Sequence, residues 1–392
     1  MATKEGAVVT ASKESIDFVK HAIEAEKDTE FLPTGNVGFD LAISNGQGLP
    51  VGSSFLFWAA PGCGKTTILV DVCKRLIEQH KAQKKPFRVL YLAVEPSLEL
   101  VKSMGLKPHI DSGDFIYITK GLCWRNVEMF YDNILGGVLK DVKLVVIDSL
   151  NNILSDANVN KSVADGDFGT KARERTMFLT KYLSLCREHG VTNFFIAQVR
   201  TNIDAGLFGP KKKSASSDGD KHNVEAIIKC TAIKSSPDSR KVREKTPFAE
   251  KDKVIAFPVR MESDDSNEGK NRFFKGTPAE IFVSLGQGCE NGYAIRKLLE
   301  FNDFIGSAGG WFQFEPEFAS AFKFPVTKMR KDEIQLHINE KAGEIVTFLK
   351  KVNKYNLNPK TTEVTKATET TKSTKKSKEA EAKVEKDEQA KA

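Results

Sequence analysis

The sequence has no long apolar run. No stretch of the 392 residues approaches the ~18 consecutive apolar residues that a membrane-spanning helix needs. The N-terminal residues MATKEGAVVTASKES also lack the hydrophobic block of a secretory signal peptide. We therefore expect a chain that is neither secreted nor inserted into a membrane, and we predict a cytoplasmic location.

Cysteines at the spacing of a metal site are missing too. The six cysteines are scattered, without a CxxC pair or a histidine at metal spacing; they are Cys63, Cys73, Cys123, Cys186, Cys230 and Cys289. A zinc site and a disulfide scaffold are therefore both poorly supported, and a reduced intracellular chain accounts for the pattern.

Neither sign of charge dominates the sequence. The 59 basic and 52 acidic residues leave a formal net charge of +7. This weak excess permits an anionic partner without requiring one.

The composition changes along the chain. Residues 357–392 consist largely of Lys, Glu, Thr and Ala without an aromatic residue, which predicts a disordered tail. Residues 1–33 are predicted to form an amphipathic helix and a linker. The helix is capped by Ser12, and its apolar stripe would pack on its own core or on a neighbouring copy. Between these ends we predict a core over 34–285 and a smaller α+β subdomain over 286–356.

The core alternates short apolar runs with helical patterns. Alternation of this kind predicts an α/β fold with a mostly parallel central sheet and helices on both faces. The predicted strands of the alternating part are SSFLFWA, RVLYLAV, FIYIT, KLVVID and TNFFIAQ. Three later runs, AIIKCTAIKS, DKVIAFPVRM and AEIFVSL, are predicted to extend the sheet.

The clearest motif lies between the first of these strands and a helix. It reads Ala59-Ala60-Pro61-Gly62-Cys63-Gly64-Lys65-Thr66-Thr67 and is typical of a phosphate-binding loop. Backbone N–H groups would close around the phosphates, Lys65 would reach the β and γ phosphates, and the Thr66 hydroxyl would hold Mg²⁺. Ala59 stands where the motif has its first Gly, and this is tolerated if the position needs no positive φ. The alternative is a chance GKT in a turn.

Polar side chains end three other predicted strands. Asp148 would hold a Mg²⁺-bound water, or else cap the next helix. Glu95 would orient and deprotonate the attacking water, or else be an ordinary acid at a helix N-terminus. Gln198 would sense the γ-phosphate. Since the carboxyl ends of parallel strands meet at one edge of a sheet, these residues are predicted to lie near the phosphate loop.

Two segments leave the same edge and are candidate loops for binding nucleic acid. One covers 201–223 and begins just after Gln198, with Val199 and Arg200 between them. The other covers 155–176, although a helical pattern begins within it at Gly169. Cations would meet phosphates and the phenylalanines would stack on bases, unless both segments are merely solvated loops. The residues singled out are Lys161, Phe168, Gly169, Lys171, Arg173, Arg200, Phe208, Lys211, Lys212 and Lys213.

Several segments, in this order, resemble the RecA-type recombinases, including the UvsX-type proteins of bacteriophages. The resemblance covers roughly residues 30–315. It rests on PTGNVGFDLAISNGQGLPVGSS, LAVEPSLELVKSMGL, FGTKAR, AQVRTNIDAGLFGP, KNR and GQGCENGYAIRKLLEFNDFIGSAGGWFQF. Lys102 departs from the family, because bacterial members commonly place an aromatic residue there against adenine.

The resemblance implies a RecA-like ATPase core with ATP and Mg²⁺ as cofactors. It implies that Glu95 is the catalytic acid, that Gln198 is the γ-phosphate sensor, and that Glu99 is near the nucleotide. Lys270 and Arg272 would reach across a filament interface to the ATP of a neighbour.

The implied activity is homologous pairing and strand exchange by a helical filament on single-stranded DNA. The implied partners are single-stranded DNA, homologous double-stranded DNA, further copies of the chain, and single-strand-binding and loader proteins. A phage-encoded chain would act in the host cytoplasm. Two alternatives remain: a ring-shaped helicase or motor on the same core, and an accessory paralogue that binds ATP without exchanging strands.

Overall fold

The computed structural model describes residues 30–95, 97–155, 168–201, 212–214, 218–246, 249–263 and 278–352. The predicted N-terminal helix and the predicted C-terminal tail lie outside these ranges. Every helix within them is too short or too polar to cross a lipid bilayer.

Strands and helices alternate through the first half of the described chain. The strands are β1 (Phe31–Leu32), β2 (Leu49–Pro50), β3 (Ser54–Trp58), β4 (Arg88–Ala93), β5 (Phe115–Ile118), β6 (Val142–Asp148), β7 (Thr192–Ala197), β8 (Val199–Thr201), β9 (Lys212–Ser214), β10 (Ala226–Ala232), β11 (Arg240–Thr246), β12 (Ala249–Ser263), β13 (Ala279–Ser284), β14 (Gly288–Glu290), β15 (Ile305–Ala308), β16 (Trp311–Phe314) and β17 (Met329–Arg330). The α-helices are α1 (Val37–Ser44), α2 (Lys65–Ala82), α3 (Leu98–Ser103), α4 (Lys107–Asp111), α5 (Trp124–Leu135), α6 (Phe168–Glu188), α7 (Asp218–Asn223), α8 (Asn291–Phe301), α9 (Pro316–Phe322), α10 (Lys331–Glu340) and α11 (Ala342–Lys351).

Ten of the described strands form one sheet. Its order is β14-β13-β12-β10-β3-β7-β6-β4-β5, and β11 pairs with β12. The strands from β10 to β5 run parallel to one another. Beyond β10 the pairing becomes antiparallel. The predicted α/β fold with a mostly parallel sheet is therefore confirmed, as is the predicted extension of the sheet.

The central strands are buried on both faces, which explains why they read as continuous apolar runs rather than as alternating ones. Every residue of β3 and β7 is buried. On one face, β-strand residues such as Trp58 and Phe195 join a core cluster with Tyr131 of α5 and Tyr182 of α6. On the other face, the rings of Phe39 in α1 and Phe57 in β3 stack with centroids 6.0 Å apart.

The C-terminal part of the described chain is a smaller mixed unit. α8 packs against β13, and a three-stranded antiparallel sheet of β15, β16 and β17 follows. Its aromatic cluster includes Phe314 and Phe324, whose rings stack with centroids 4.6 Å apart.

Asp40 is a buried carboxyl group that makes the stability of the fold depend on pH. It is 3% exposed and accepts hydrogen bonds from the Thr34 hydroxyl and backbone N–H. Burial nevertheless raises its pKa from 3.8 to about 6. Because the folded chain holds this proton more tightly than the unfolded chain, the free energy of unfolding falls as pH rises through this interval.

We therefore expect Asp40→Asn to remove this dependence. The free energy of unfolding of the unaltered chain, minus that of the variant, should fall by up to about 3 kcal/mol between about pH 4 and about pH 7. Urea denaturation at several pH values measures this difference. A difference that stays constant with pH would contradict the burial argument.

Candidate functional site

The carboxyl ends of four adjacent strands bring the predicted site residues together. These neighbouring strands of the sheet are β3, β7, β6 and β4. Ala59 follows β3, Gln198 follows β7, Asp148 is the last residue of β6, and Glu95 comes two residues after the end of β4. A cavity of about 460 Å³ lies at this edge. Its lining residues are Ala59, Pro61, Gly62, Cys63, Gly64, Lys65, Thr66, Thr67, Glu95, Asp148, Ser149, Ile196, Gln198, Val199 and Leu285.

The backbone of the phosphate-binding loop uses glycine where the conformation requires it. Gly62 and Gly64 have φ values of 70° and 83°, in the left-handed region that disfavours other residues. A Cβ on Gly64 would also lie only 2.9 Å from Cγ1 of Val283. Ala59 does not adopt a positive φ and is 1% exposed. Alanine therefore fits at the first position of this loop, as the sequence argument required.

The N-terminus of α2 is arranged to receive an anion. The helix begins at Lys65, and its N-cap, Gly64, has no side chain to satisfy the first N–H groups. Unpaired N–H groups and the helix dipole favour negative charge at this point. The Lys65 ammonium donates to the backbone carbonyl oxygens of Ala59 at 2.9 Å and Ala60 at 3.4 Å, so its charge is held over the loop.

Thr66 and Asp148 meet across the cavity. The Thr66 hydroxyl donates to Oδ2 of Asp148 at 2.8 Å, and the buried Tyr91 hydroxyl donates to the same oxygen at 3.0 Å. Burial raises the pKa of Asp148, and the two hydrogen bonds oppose the rise. A hydroxyl and a carboxylate are oxygen ligands of the kind that Mg²⁺ prefers, so this pair fits a magnesium ion held directly or through water.

Glu95 is held by three donors through a single oxygen. Oε1 accepts hydrogen bonds from Gln198 Nε2 at 2.5 Å, Asn152 Nδ2 at 2.8 Å and Ser149 Oγ at 3.2 Å. In the described part of the chain no donor reaches Oε2. The side chain is thus oriented while one oxygen remains for a water molecule.

Sequence reasoning missed Tyr91, Ser149 and Asn152. Tyr91 lies inside the strand RVLYLAV, where it reads as an ordinary core residue. Ser149 follows Asp148 directly and Asn152 lies three residues further on, and polar residues after a buried strand were the available signal for them. Their contacts with Glu95 depend on the pairing of β4 with β6, which no local pattern specifies.

The segment after Gln198 differs from its prediction. A structureless loop over 201–223 is wrong in part, because β8 and β9 pair as an antiparallel ribbon and α7 covers 218–223. The register places Arg200 opposite Lys213 and Thr201 opposite Lys212. Short ribbons of this kind form when the ends of a loop can satisfy each other's backbone groups. Phe208 and Lys211 lie outside the described residues.

The second candidate loop is also shorter than predicted. α6 begins at Phe168, so Phe168, Gly169, Lys171 and Arg173 lie in its first turns and not in a loop reaching residue 176. The helical pattern of the sequence, and not the loop-like composition, therefore predicts the structure of these residues correctly. Arg173 is exposed, and Lys161 lies outside the described residues.

A buried ion pair ties the two segments together. Arg175 of α6 donates to Oδ1 of Asp220 in α7 at 2.6 Å, and the residues are 8% and 0% exposed. Removing one partner of a buried pair is strongly destabilising. This ion pair therefore anchors α7, at the end of the segment 201–223, to α6, the helix in which the segment 155–176 ends.

Two predicted nucleotide-binding residues of the described chain, Ala60 and Glu99, are not among the residues that line the cavity. The Glu99 side chain is 91% exposed and pairs with Lys102 at 3.4 Å. Lys270 and Arg272 lie outside the described residues.

Comparison with known proteins gives one family throughout. Residues 10–234 match the family described as the RecA N-terminal domain. The chain is 24% identical to Protein RecA of Streptomyces avermitilis over 323 residues, which cover 80% of this chain and 77% of that protein. It is 23% identical to Protein RecA of Ectopseudomonas oleovorans, over 74% of each chain. It is also 23% identical to Protein RecA of Nocardia farcinica, over 82% of this chain and 86% of that protein.

Proposed function

We propose, since this chain belongs to the RecA family, that it is a DNA-dependent ATPase which forms a helical filament on single-stranded DNA and carries out homologous pairing and strand exchange. The observation that carries the proposal is the cavity at the sheet edge. It unites Lys65 and Thr66, Asp148, Glu95 and Gln198, and Gln198 continues directly into the β8–β9 ribbon.

The geometry supports hydrolysis of a nucleoside triphosphate. The loop and Lys65 would bind the phosphates of ATP, and Glu95 Oε2 would accept a proton from water as the water oxygen attacks the γ-phosphorus. The bond from that phosphorus to the bridging oxygen breaks, leaving ADP and inorganic phosphate. Bound Mg²⁺ would neutralise phosphate charge, with Thr66 and Asp148 as the residues that hold it.

The position of Gln198 supports a link between the nucleotide and DNA. Its side chain contacts Glu95, and the next residue, Val199, begins the ribbon. A γ-phosphate that engages Gln198 would act on the ribbon through one peptide bond. We propose that ATP, through Gln198, sets the segment 201–223 for DNA binding and that hydrolysis releases the DNA, as in other nucleotide-driven switches.

The openness of the site supports completion by a neighbouring copy. Pro61, Gly62, Glu95 and Gln198 are exposed in the single chain. We propose that Lys270 and Arg272 of an adjacent copy cover the nucleotide, that residues 1–33 dock on the neighbour, and that single-strand-binding and loader proteins assist assembly. The proposed core is 34–285, followed by the subdomain 286–356 and the tail 357–392.

Joint-molecule formation between homologous strands tests the proposal most directly. ATP-dependent pairing of a labelled single strand with a homologous duplex, but not with a heterologous one, is the expected result. ATP hydrolysis unaffected by single-stranded DNA, with no joint molecules, would instead favour an accessory paralogue. Closed rings in electron micrographs would favour a motor.

Neutralising Lys211, Lys212 and Lys213 together should weaken DNA binding and its dependence on salt. The backbone register of the ribbon places Arg200 opposite Lys213. If all three lysines meet phosphates, the log–log slope of affinity against salt should flatten by about 2–3 units. Fluorescence anisotropy with labelled single-stranded DNA across a salt series measures the slope.

A matched control removes three lysines from the opposite edge of the sheet. Lys85, Lys140 and Lys143 lie near the amino ends of β4 and β6, so their replacement by glutamine changes the net charge equally. The control should retain the slope of the unaltered chain. Equal slopes in both triple variants would refute a contact between Lys211–Lys213 and DNA phosphates.

A further inference from the structure

A second lysine lies beside the phosphate-binding loop. Lys234 follows β10, the parallel neighbour of β3, so it leaves the sheet at the same edge as the loop. A Cβ built on Gly62 would lie 3.6 Å from Lys234 Nζ. Gly62 lines the cavity, and the Lys234 ammonium is therefore adjacent to it.

The backbone around Lys234 is fixed. The N–H of Ile233 donates to the Pro258 carbonyl oxygen at 2.8 Å, and the Ser239 hydroxyl donates to the Ile233 carbonyl oxygen at 3.1 Å. Further on, the Ser236 N–H donates to the same Ile233 oxygen at 3.0 Å. The lysine therefore projects from an anchored turn.

Among the residues that the structure describes, no carboxylate pairs with Lys234. Its ammonium lies 5.2 Å from the centroid of the Phe257 ring. Phe257 is 0% exposed, so its ring is held in place by the surrounding core. An aromatic face positions a cation without cancelling its charge, which remains available to an anion.

We propose that Lys234 is a second cationic ligand of the triphosphate, supplied by the same chain that supplies the loop. Lys65 approaches the phosphates from the helix side of the loop and Lys234 from the side of Gly62, so that the anion lies between two positive charges. The inference rests on the proposed function, because it takes the occupant of the loop to be ATP. It adds a residue that the loop motif does not contain.

Titration of the DNA-free chain with a fluorescent ATP analogue tests the assignment. Protein kept dilute enough to remain monomeric, as verified by light scattering, excludes contributions from a neighbour. Lys234→Gln should weaken binding by about tenfold, the effect of one lost charge-assisted contact. Lys234→Glu should weaken it further, and Lys234→Arg should preserve most of the affinity.

Lys140→Gln is the matched control, since it removes the same charge at the amino end of β6. It should bind ATP as the unaltered chain does. Repeating the titration of Lys234→Gln with an ADP analogue locates the contact. If affinity falls for the ATP analogue alone, the contact is with the γ-phosphate; if it falls equally for both nucleotides, the contact is with the inner phosphates.

Two results would overturn the inference. One is equal ATP affinity of Lys234→Gln and the unaltered chain. The other is a defect that appears only in DNA-stimulated turnover, which would assign Lys234 to contact between copies. If the unaltered chain failed to bind ATP, the proposed function would fall with it, so the two failures are distinguishable.

Discussion

Lys65→Ala is expected to weaken nucleotide binding severely and, with it, ATP-dependent binding to DNA. Lys65 is the cation that the structure places over the loop carbonyl oxygens at the start of α2. Truncating one side of a close charge pair costs about 2–5 kcal/mol, and about 1.4 kcal/mol corresponds to a factor of ten. The affinity for ATP should therefore fall by roughly thirtyfold to several thousandfold.

Isothermal titration with ATP and a steady-state ATPase assay measure the loss. Lys74→Ala is the control, because Lys74 belongs to the same helix, pairs with Glu78 at 3.9 Å and does not line the cavity. Both variants should unfold at the temperature of the unaltered chain. An ATP affinity that survives in Lys65→Ala would show that the cavity at the sheet edge is not the nucleotide site.

Glu95→Gln is expected to separate binding from chemistry. Glutamine keeps the shape of the side chain, so ATP and single-stranded DNA should still bind. It cannot accept a proton from water, and general-base catalysis contributes about 10²–10⁴ to a rate, so kcat should fall by about that factor. Single-turnover hydrolysis with excess enzyme, measured with and without DNA, isolates the chemical step.

A surface acid provides the comparison for Glu95. Glu344 in α11 is 65% exposed and pairs with Lys341. Glu344→Gln therefore removes the same charge as Glu95→Gln, at a residue that does not line the cavity. Its turnover should be unchanged. Rapid hydrolysis by Glu95→Gln would remove Glu95 from the role of base, while leaving Lys65 and the loop in place.

The two variants should differ most in the filament. Lys65→Ala cannot use ATP and should fail to assemble on DNA, whereas Glu95→Gln should form filaments that persist because ATP is not consumed. Persistent filaments in Glu95→Gln would support release by hydrolysis. Equal filament lifetimes in Glu95→Gln and in the unaltered chain would argue against it.

Particular residues show why some of the site was predictable. The phosphate loop is a contiguous stretch whose glycines and lysine act through the local backbone, so its chemistry can be read from spacing alone. Asp148, Glu95 and Gln198 each end an apolar run, and strand ends of a parallel sheet share an edge. The extents of the two candidate loops were predicted less accurately. Composition does not specify whether the ends of a loop pair as strands or continue a neighbouring helix.

Local sequence was sufficient for the phosphate loop, the alternation of strands and helices, and the family resemblance, because these depend on residues close together in the chain. Four contacts could be found only in the folded chain. They are the three hydrogen bonds to Glu95, the Tyr91–Asp148 hydrogen bond, the Arg175–Asp220 ion pair and the approach of Lys234 to Gly62. Each joins residues that are distant in sequence. Strand order and register set the distances at the sheet, and the packing of α6 against α7 sets that of the Arg175–Asp220 pair. Backbone pairing across the whole sheet sets that order, and no local pattern encodes it.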